Sequence, residues 1–496
     1  MMTPNNLEEG RREAGQHPIH ALVSLHSKIH REQKSIFEIN FDVSETSFST
    51  TGLPAMPQAG DVLCVMPENT KENIQLLPTL LREIECSVFL KGRYETDEGS
   101  FYSPEEALAF VSLNPVKMSL LEILKSKVEE LPSIPDDLEE GYAIVNELLS
   151  CDENLCKRKL RHTHVVDILR MLPGVLSLQE LCHLQGGINR RIFTISSIDR
   201  DAEGNPQHIR ILLASNVAYS SPKESFGKGK QHRGICNSYL LDLLTSGSAK
   251  PTARIFVQRR GFGPPEKHRT FLPFHDVQPD EDFLKKLRMP LLMIAAGSGI
   301  SGIHATLQER LAWAMKGYEV GEATLLFGLH NRKKDFIYQE SLEAFQKEGI
   351  LREVVLAESR PDVGVKQYVQ HFLMNGAFSQ ELKEIAAEER GIVLCGDWRM
   401  GQSVLFGVLP FLLPLPSGRK GGEISQLNAE ALEAVFAEGK ELVVALRESR
   451  TIMASASGTR YHKGPFTFED AKQVLKDLEA LSPSSDKKAF QGMEAV

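Results

Sequence analysis

Several short segments of this chain combine residue types that bind anions. In PLLMIAAGSGISGIHATLQER an apolar run ends in Gly297-Ser298-Gly299, and a helical pattern begins directly afterwards. A turn of this kind leaves backbone N–H groups and the positive end of a helix dipole available to an anion. The turn therefore indicates a phosphate site, although an ordinary strand-to-helix connection would have the same sequence.

A second segment offers side chains that suit a phosphate monoester. Its candidate residues are Ser359, Arg360, Lys366, Tyr368 and Gln370. Phosphate oxygens accept several charge-assisted hydrogen bonds, for which arginine and lysine are strong donors. The alternative interpretation is a polar loop that contacts only water.

Two further segments together favour a diphosphate. The octet RRIFTISS, residues 190–197, alternates apolar and hydroxyl residues after two arginines, which predicts a strand with one wet side. In RGICNSYLLDLL, Gly234 begins a turn into a helix, whose first amides are expected to lack intrahelical partners. These amides are assigned to Cys236, Asn237 and Ser238. Arg191 and this helix start would supply complementary donors to one ligand.

Cys395 is a further candidate site residue. It ends the apolar run GIVLCGD, which has the character of a buried strand. Ligands of parallel α/β sheets bind beyond the carboxyl ends of the strands, so the thiol could contact a ligand there. Packing is the alternative, because cysteines are common in buried strands.

The elements that must position these residues divide the chain into three parts. Residues 19–70 and 187–285 show short alternating runs, which are typical of antiparallel strands. Residues 71–186 have helical spacing and are predicted to be an all-helical insertion into a β-barrel. From 286 to 480, apolar runs alternate with helical stretches, which indicates a parallel sheet in an α/β domain. The fold class is therefore α+β multidomain.

Composition narrows the class of protein. The 496 residues include 57 Lys and Arg against 66 Asp and Glu, a net charge of −9, so bulk charge gives no support for nucleic-acid binding. Seven scattered cysteines without a CxxC pair favour thiols in a reducing cytoplasm over disulfides or a zinc site. Residues 1–18 are a disordered-looking tail without a signal-peptide core, and residues 481–496 are a polar tail. We expect a cytoplasmic protein with no membrane insertion and no bound metal.

Six motifs in order resemble the ferredoxin–NADP⁺ reductase superfamily. They are RRIFTISS, RGICNSYL, PLLMIAAGSGISGIHATLQER, LLFGLHNRKKDFIYQESL, ESR with KQYVQ, and LCGDWRM. The helical insertion, and PQAGDVLCVMPEN before it, are similar to the reductase half of the diflavin reductases. The resemblance covers residues 19–410. It implies an antiparallel Greek-key FAD-binding barrel, an NADP-binding α/β domain, and an oxidoreductase that passes electrons from NADPH through FAD to an acceptor.

The resemblance also implies which residues bind FAD. In the family's RxYSxxS pattern the arginine meets the FAD diphosphate, the aromatic covers the flavin ring, and the hydroxyl bonds near flavin N5. These roles fall to Arg191, Phe193 and Thr194. Tyr219 stands where the family places an aromatic against the adenine. The diphosphate-binding helix start corresponds to Gly234, Cys236, Asn237 and Ser238, with asparagine where the family usually has Ser or Thr.

The implied NADPH residues lie in the α/β domain. Gly297, Ser298 and Gly299 match the family's GTG turn, and the segment from Ser359 to Gln370 matches its 2′-phosphate set, which implies NADPH rather than NADH. Cys395 matches the cysteine beside the nicotinamide, so Thr194 and Cys395 are the predicted catalytic residues. Two family arginines are replaced by His304 and His330, which would reduce the positive charge near the nucleotide.

The acceptor is expected to be a separate protein. No flavodoxin-like FMN domain precedes residue 19, so a flavodoxin-like, FMN or haem protein would receive the electrons, steered by basic stretches at 157–159 and 228–233. The family's C-terminal acid is missing from RYHKGPF, residues 460–466, where Phe466 is a possible flavin cover. These departures leave a second interpretation open: a degenerate FAD-binding structural or assembly subunit that does not turn over NADPH.

Overall fold

The computed structural model describes residues 19–29, 34–48, 56–90, 100–114, 116–152, 160, 163–216, 218–219, 231–232, 234–246, 250–258, 279, 281–374, 376–386, 391–396, 400–401, 403–404 and 452–456. Its strands are β1 (Ile19–Ile29), β2 (Lys34–Asp42), β3 (Val62–Met66), β4 (Val88–Leu90), β5 (Ser100–Tyr102), β6 (Arg191–Arg200), β7 (Pro206–Asn216), β8 (Ala218–Tyr219), β9 (Gln231–His232), β10 (Thr252–Gln258), β11 (Leu291–Ala296), β12 (Ala323–Leu329), β13 (Leu351–Glu358), β14 (Gly391–Gly396) and β15 (Ile452–Ala456).

The helices are α1 (Lys71–Leu80), α2 (Pro104–Phe110), α3 (Met118–Glu129), α4 (Asp136–Ser150), α5 (Val165–Met171), α6 (Leu178–Gln185), α7 (Ile235–Thr245), α8 (Glu281–Arg288), α9 (Ile300–Met315), α10 (Arg332–Asp335), α11 (Gln339–Lys347), α12 (Val369–Met374) and α13 (Ser379–Ala386). A short 3₁₀ turn, Gly297–Gly299, directly precedes α9.

Six strands close into an antiparallel barrel in the order β1-β10-β3-β6-β7-β2. The sequential pairs β1–β2 and β6–β7 alternate with pairs that are distant in the chain, such as β1–β10 and β2–β7, which fits the predicted Greek key. Successive side chains of β2 point to opposite faces of the strand, so β2 contributes to two cores. Phe37, Ile39 and Phe41 fill the barrel core, whereas Ile36 packs into the core of the neighbouring α/β domain. The barrel therefore presents an apolar outer face to that domain.

The insertion between β3 and β6 contains the predicted helices and one element that the helical pattern did not predict. Helices α1 to α6 share one apolar core, and capping boxes at Ser103 and Ser177 begin α2 and α6. The additional element is the antiparallel pair β4–β5, so the prediction of an all-helical insertion is wrong in this detail. The side chain of Gln179 in α6 holds β4, because it bonds both backbone groups of Phe89, at 2.9 and 3.2 Å.

The C-terminal part is a parallel sheet in the order β13-β12-β11-β14-β15, as the continuous apolar runs predicted. Alternate residues of β11 serve its two faces. Met293 and Ala295 pack in the core shared with α9 and α11, whereas Leu292 and Ile294 pack in the core shared with α12 and α13. Both faces are covered, so the carboxyl edge of the sheet is where a ligand can approach the strands.

The barrel and the sheet meet along a seam between β6 and α9. A β-bulge lies between Ile195 and Ser197 of β6. The bulge allows Ile195 and Ile198 both to enter the barrel core, and it leaves two serines between them facing α9. The Gln308 side chain of α9 accepts hydrogen bonds from the Ser197 hydroxyl at 3.0 Å and from the Ile198 amide at 3.2 Å.

A buried carboxyl also ties α9 to the barrel. Glu309 Oε1 accepts a 2.8 Å hydrogen bond from the amide of Ala59 and lies 3.8 Å from Arg200 Nη2. Arg200 Nη2 also donates to the carbonyl of Pro57 at 2.7 Å. Burial raises the pKa of Glu309 to about 7, while the nearby guanidinium and the amide oppose this rise. The pair links the loop before β3, the end of β6 and the middle of α9.

Above pH 7, where the carboxyl is mostly ionised, replacing Glu309 by alanine is expected to lower the free energy of unfolding by about 3–5 kcal/mol, because the buried Arg200 loses its ionic partner and the Ala59 amide its acceptor. Glu309→Gln is the matched control, since it keeps an acceptor oxygen, and we expect it to cost less. Urea unfolding of the three proteins measures both differences. Equal losses in the two variants would contradict a role for the acceptor.

The raised pKa of Glu309 predicts a pH dependence. The folded protein holds this proton more tightly than the unfolded chain, with a pKa of about 7 against an ordinary 4.5. The carboxyl therefore contributes stability that is complete below pH 4.5 and is lost as the pH rises through 7. Relative to the non-titrating Glu309→Gln variant, the wild type should gain stability as the pH falls through this window. A pH-independent difference would contradict the assignment.

Candidate functional site

The predicted nucleotide residues lie along the carboxyl edge of the parallel sheet. Ser359 and Arg360 directly follow β13, the Gly297–Gly299 turn follows β11, and Cys395 is the penultimate residue of β14. The order β13-β12-β11-β14 therefore arranges these groups in a row. Neighbouring strands are about 4.8 Å apart, so the row extends over about 14 Å. A ligand lying along it would contact cations at one end and the thiol-bearing strand at the other.

The turn after β11 brings α9 close to β14. Gly297 has a φ of 54°, in the left-handed region that favours glycine, and a Cβ there would face open space. At Gly299 a Cβ would lie 2.2 Å from the carbonyl oxygen of Cys395, so only glycine fits. The Ser301 hydroxyl fixes the turn from the helix side with a 2.7 Å bond to the Ser298 carbonyl. This tight turn fits a diphosphate, because two of its three residues are glycines and a Cβ at Gly297 would face open space, where a ligand can approach the backbone.

The 2′-phosphate candidates differ in how freely they can meet a ligand. The Arg360 and Lys366 side chains are exposed, and the Lys366 ammonium lies 4.8 Å from the centre of the Tyr368 ring. In contrast, the Ser359 hydroxyl donates to the carbonyl of Leu329 at 3.2 Å, so its proton is already used. Gln370 is half-buried in the first turn of α12. The structure thus gathers two exposed cations and a phenol at the end of β13.

One residue that holds this segment was not predicted. Asn331 is buried, and its Nδ2 donates to the Arg360 carbonyl at 3.3 Å and to Asp362 Oδ1 at 2.8 Å. The amide of Arg360 donates to the His330 carbonyl at 2.8 Å. The end of β12 therefore fixes the backbone that carries Arg360. The sequence signal was an asparagine before the helical RKKD, which is typical of a helix cap and not of a loop anchor.

The predicted flavin strand forms, but the prediction of one wet side is wrong: Ile192 is exposed, whereas the hydroxyl residues Thr194, Ser196 and Ser197 are buried. Arg191 is exposed at the start of β6, Phe193 packs partly against the barrel core, and Thr194 is buried. Thr194 pairs with Val62 of β3. Tyr219 lies in the two-residue strand β8, opposite Gln231 of β9, and only its backbone is described.

The structure brings Arg191 and the start of α7 together. Burial raises the pKa of the Cys236 thiol to about 12, and the charge of Arg191 opposes this rise, as a neighbouring cation must. Gly234 is the exposed N-cap of α7, in extended conformation and without a side-chain cap. A guanidinium beside an uncapped helix start is a donor set that fits a diphosphate.

The helix start also corrects one prediction. The amide of Ser238 donates to the Gly234 carbonyl at 2.9 Å, so it is paired, and the first-turn amides are those of Ile235, Cys236 and Asn237. The helix begins one residue earlier than the pattern suggested. The side chain of Asn237 bonds the Ala214 carbonyl at 3.0 Å, and the Cys236 thiol faces the barrel core. These two residues therefore offer a ligand their amides and not their side chains.

Cys395 is completely buried, and its side chain packs in the core shared with α9. Packing thus accounts for the thiol in this structure, and its proximity to a nicotinamide stays a prediction. Phe466 and the segment 460–466, the basic stretch 157–159, and Lys228, Lys230 and Arg233 lie outside the described residues.

The two histidines that replace family arginines lie in different parts of the structure. His330 is exposed at the end of β12, on the carboxyl edge. His304 instead has a buried ring whose Nδ1 lies 2.7 Å from the carbonyl oxygen of Ser196 on the barrel. It therefore belongs to the seam, where burial lowers its pKa and so disfavours a positive charge at this position.

Within the described part of the chain, three kinds of feature were not found. The six cysteines described there form no disulfide. No cluster of three or more His, Cys, Asp or Glu side chains is arranged to hold a metal ion. No helix of that part has both the length and the apolar character needed to cross a membrane.

Comparisons with known proteins agree with this arrangement. Residues 293–405 match the oxidoreductase NAD-binding domain. The sulfite reductase [NADPH] flavoprotein alpha-component of Bacillus subtilis is 26% identical over 413 residues, which cover 80% of this chain and 56% of that protein. The NADPH–cytochrome P450 reductase of Drosophila melanogaster is 28% identical over 236 residues, which cover 47% of this chain and 30% of that protein.

A third relative is the inducible nitric oxide synthase of Homo sapiens, 28% identical over 299 residues, which cover 60% of this chain and 21% of that protein. The matched part therefore covers from about a fifth of the length of one of these relatives to just over half of the length of another. The predicted cofactors, FAD and NADPH, agree with the class of these relatives. The matched domain, the closed barrel beside a parallel sheet, and these relatives confirm the predicted resemblance: the chain carries the NAD-binding domain of the ferredoxin–NADP⁺ reductase family, and its homologues are diflavin reductases.

Proposed function

We propose that this protein is an NADPH-dependent FAD flavoprotein reductase that passes electrons from NADPH through FAD to a separate acceptor. One observation carries the proposal. The strand that bears Arg191, Phe193 and Thr194 packs directly on the helix that begins at the Gly297–Gly299 turn. The two elements suited to the two cofactors are therefore neighbours along the seam, as hydride transfer between those cofactors requires.

On the barrel side, Arg191 and the first-turn amides of α7 would hold the FAD diphosphate. Phe193 would cover the flavin ring, Thr194 would bond near flavin N5, and Tyr219 would lie against the adenine. The closeness of Arg191 to Cys236 supports the first of these roles, because one ligand could reach both donor groups.

On the sheet side, the Gly297–Gly299 turn would hold the nucleotide diphosphate. Arg360, Lys366 and Tyr368 would surround the 2′-phosphate, with Ser359 and Gln370 beside them. Their position two strands from the turn supports this assignment, since it separates the two phosphate sites along the carboxyl edge. Cys395, on the other side of β11, would mark the nicotinamide end.

The flavin supplies the chemistry, since it accepts a hydride and releases single electrons. The protein would bind and orient the two cofactors and exclude water from their contact. Thr194 is buried at the seam-facing strand, where a hydroxyl can donate a hydrogen bond without being exposed to bulk water. No strong general base is needed for this reaction.

A second candidate function is an FAD-binding structural subunit that does not turn over NADPH. Its specific support is the complete burial of Cys395, the residue predicted to lie beside the nicotinamide. The two candidates differ in the fate of bound flavin. Anaerobic mixing of the flavin-loaded protein with NADPH should bleach the flavin absorbance rapidly if the protein is a reductase. A persistent yellow spectrum would favour the structural subunit.

The acceptor would be a flavodoxin-like or FMN protein, a haem protein or a sulfite reductase partner. Its docking would use the basic stretches at 157–159 and 228–233. Neutralising Lys228, Lys230 and Arg233 together should weaken the salt dependence of acceptor reduction. Unchanged salt dependence with every flavodoxin-like partner tested would refute this docking site.

A further inference from the structure

A cluster of four polar side chains lies in the seam between the barrel and the sheet. It consists of Glu38 in β2, Ser196 in β6, His304 in α9 and Tyr338 immediately before α11, and we name it the seam cluster. The Tyr338 hydroxyl donates to Glu38 Oε1 at 2.6 Å, and the Ser196 hydroxyl reaches the same oxygen at 3.5 Å. The rings of His304 and Tyr338 stack with centroids 3.9 Å apart. Two residues of each domain thus meet in one network.

The protonation of this cluster follows from its contacts. A backbone carbonyl only accepts, so the Nδ1 of His304 must carry the proton that it shares with Ser196. Burial lowers the pKa of His304, which keeps the ring neutral near pH 7. Burial and the neighbouring Glu38 charge raise the pKa of Tyr338 well above its ordinary value, so its hydroxyl remains a donor. His304 Nδ1 and the Tyr338 hydroxyl are therefore both hydrogen-bond donors to groups of the barrel.

Tyr338 is also held in an unusual backbone conformation. Its φ of 63° makes it the one non-glycine residue with positive φ in the described ranges. This conformation costs a side chain about 1–2 kcal/mol, and it persists where the surrounding structure enforces it. The ring is held between His304 and Glu38 while α11 starts at the next residue. A smooth helix start would not need this strain, whereas a contact across the seam explains it.

The place of the cluster in the chain suggests its use. Ser196 lies two residues beyond Thr194 on the flavin strand, and His304 lies five residues beyond Gly299 on the helix that follows the nucleotide turn. The Nδ1–carbonyl bond therefore connects the two candidate cofactor sites almost directly. We propose that His304 and Tyr338 are positioning residues that set the approach of the nucleotide turn to the flavin strand. This inference rests on the proposed function.

The expected size of the effect follows from the geometry of hydride transfer. Reacting atoms must lie about 3–3.5 Å apart, and a displacement of about 1 Å costs on the order of 10²-fold in rate. Losing the cluster would shift α9 relative to β6 without removing any group that touches a phosphate. The rate of flavin reduction at saturating NADPH should therefore fall, whereas the affinity for the nucleotide should change little.

The test uses two variants of one residue. His304→Phe keeps a ring to stack on Tyr338 but removes the donor, and His304→Asn keeps a donor nitrogen where Nδ1 lies. We expect His304→Phe to slow flavin reduction by about 10- to 100-fold, with NADP⁺ affinity and flavin content within about twofold of wild type. His304→Asn should recover most of the rate. Stopped-flow reduction by NADPH measures the rates, and a larger isotope effect with 4-deuterated NADPH should accompany the slow variant.

Hydrogen exchange provides a readout that does not depend on activity. In His304→Phe, amides of residues 193–198 and 300–308 should exchange faster than in wild type, whereas His304→Asn should protect them. Tyr338→Phe, which removes only the hydroxyl, should show the same change to a smaller degree and serves if His304→Phe does not fold. If NADPH failed to reduce the flavin of the wild type, the proposed function would be refuted. The exchange measurements would still test whether the seam cluster holds α9 against β6. Unchanged exchange and rate in His304→Phe, or weakened NADP⁺ binding at an unchanged saturated rate, would overturn the inference.

Discussion

Replacing Arg360 and Lys366 together by alanine should lower kcat/KM for NADPH by about 10²- to 10⁴-fold and leave that for NADH nearly unchanged. Each charged hydrogen bond contributes about 1.5–3 kcal/mol, and about 1.4 kcal/mol corresponds to a factor of ten. NADH lacks the 2′-phosphate, so it loses nothing when these two cations are removed. Steady-state reduction of a small artificial acceptor with each nucleotide measures the ratio.

The structure indicates that the Arg360 and Lys366 substitutions remove two charges without disturbing the fold. Both side chains are exposed, and the backbone that carries Arg360 is held by Asn331 and His330, not by its own guanidinium. Folding stability should therefore be unaffected. Lys347→Ala is the matched control, because it removes an exposed cation from the end of α11, beyond the amino edge of the sheet. Equal losses with NADPH and NADH, or a similar loss in the control, would contradict the 2′-phosphate assignment.

The sequence was sufficient for those parts of the fold that depend on local pattern. Alternation in β2 predicted a strand with one face in the barrel core, and the apolar runs of β11 and β14 predicted strands covered on both sides. The Gly297–Gly299 turn was also visible, because two glycines between an apolar run and a helical pattern are typical of a tight strand-to-helix turn. In each case neighbouring residues carry the signal, so no tertiary information was needed.

Contacts between distant residues could not be predicted in the same way. Tyr338 and Glu38 are separated by 300 positions, and His304 and Ser196 by 108. The motif comparison identified His304 as the replacement of a family arginine, but it gave no sign that the side chain would lie against the barrel. Burying a neutral imidazole costs less free energy than burying a charged guanidinium, so the His304 side chain can lie against the barrel. The β-bulge in β6, which turns two successive serines to one side, has no sequence signature either.

The prediction for the first turn of α7 was wrong by one residue, and the reason is again a contact between distant parts of the chain. The pattern RGICNSYL predicted free amides up to Ser238, but the helix already closes its first bond from Ser238 to Gly234. Local sequence defines that a helix begins near the glycine, whereas the exact first turn depends on packing. Here Cys236, Tyr239 and Leu240 enter the barrel core and so fix the rotation of the helix. The proposed diphosphate site is unchanged, because the amides one position earlier would bind the same ligand.

Gly299→Ala should abolish most NADPH turnover while leaving FAD bound. The added Cβ would lie 2.2 Å from the Cys395 carbonyl oxygen, 2.7 Å from the carbonyl carbon and 2.8 Å from Gly396 Cα. All three are backbone atoms, so no side chain can rotate away, and α9 must move from β14 by about 1 Å. A displacement of that size costs on the order of 10²-fold in hydride transfer, and the overpacked site should lose about 1–3 kcal/mol of stability.

Gly317→Ala separates this steric effect from the general cost of replacing glycine. Gly317 has a φ of 86° in the turn after α9, and a Cβ there meets no atom within 4 Å. Its substitution should cost about 1–2 kcal/mol of stability through backbone strain alone and leave flavin reduction unchanged. Stopped-flow reduction, NADP⁺ affinity and thermal unfolding of both variants give the comparison. If Gly299→Ala reduced its flavin as fast as Gly317→Ala, close contact between α9 and β14 could not be what holds the nucleotide in place. Slow reduction with retained FAD would instead locate the effect on the nucleotide side of the seam.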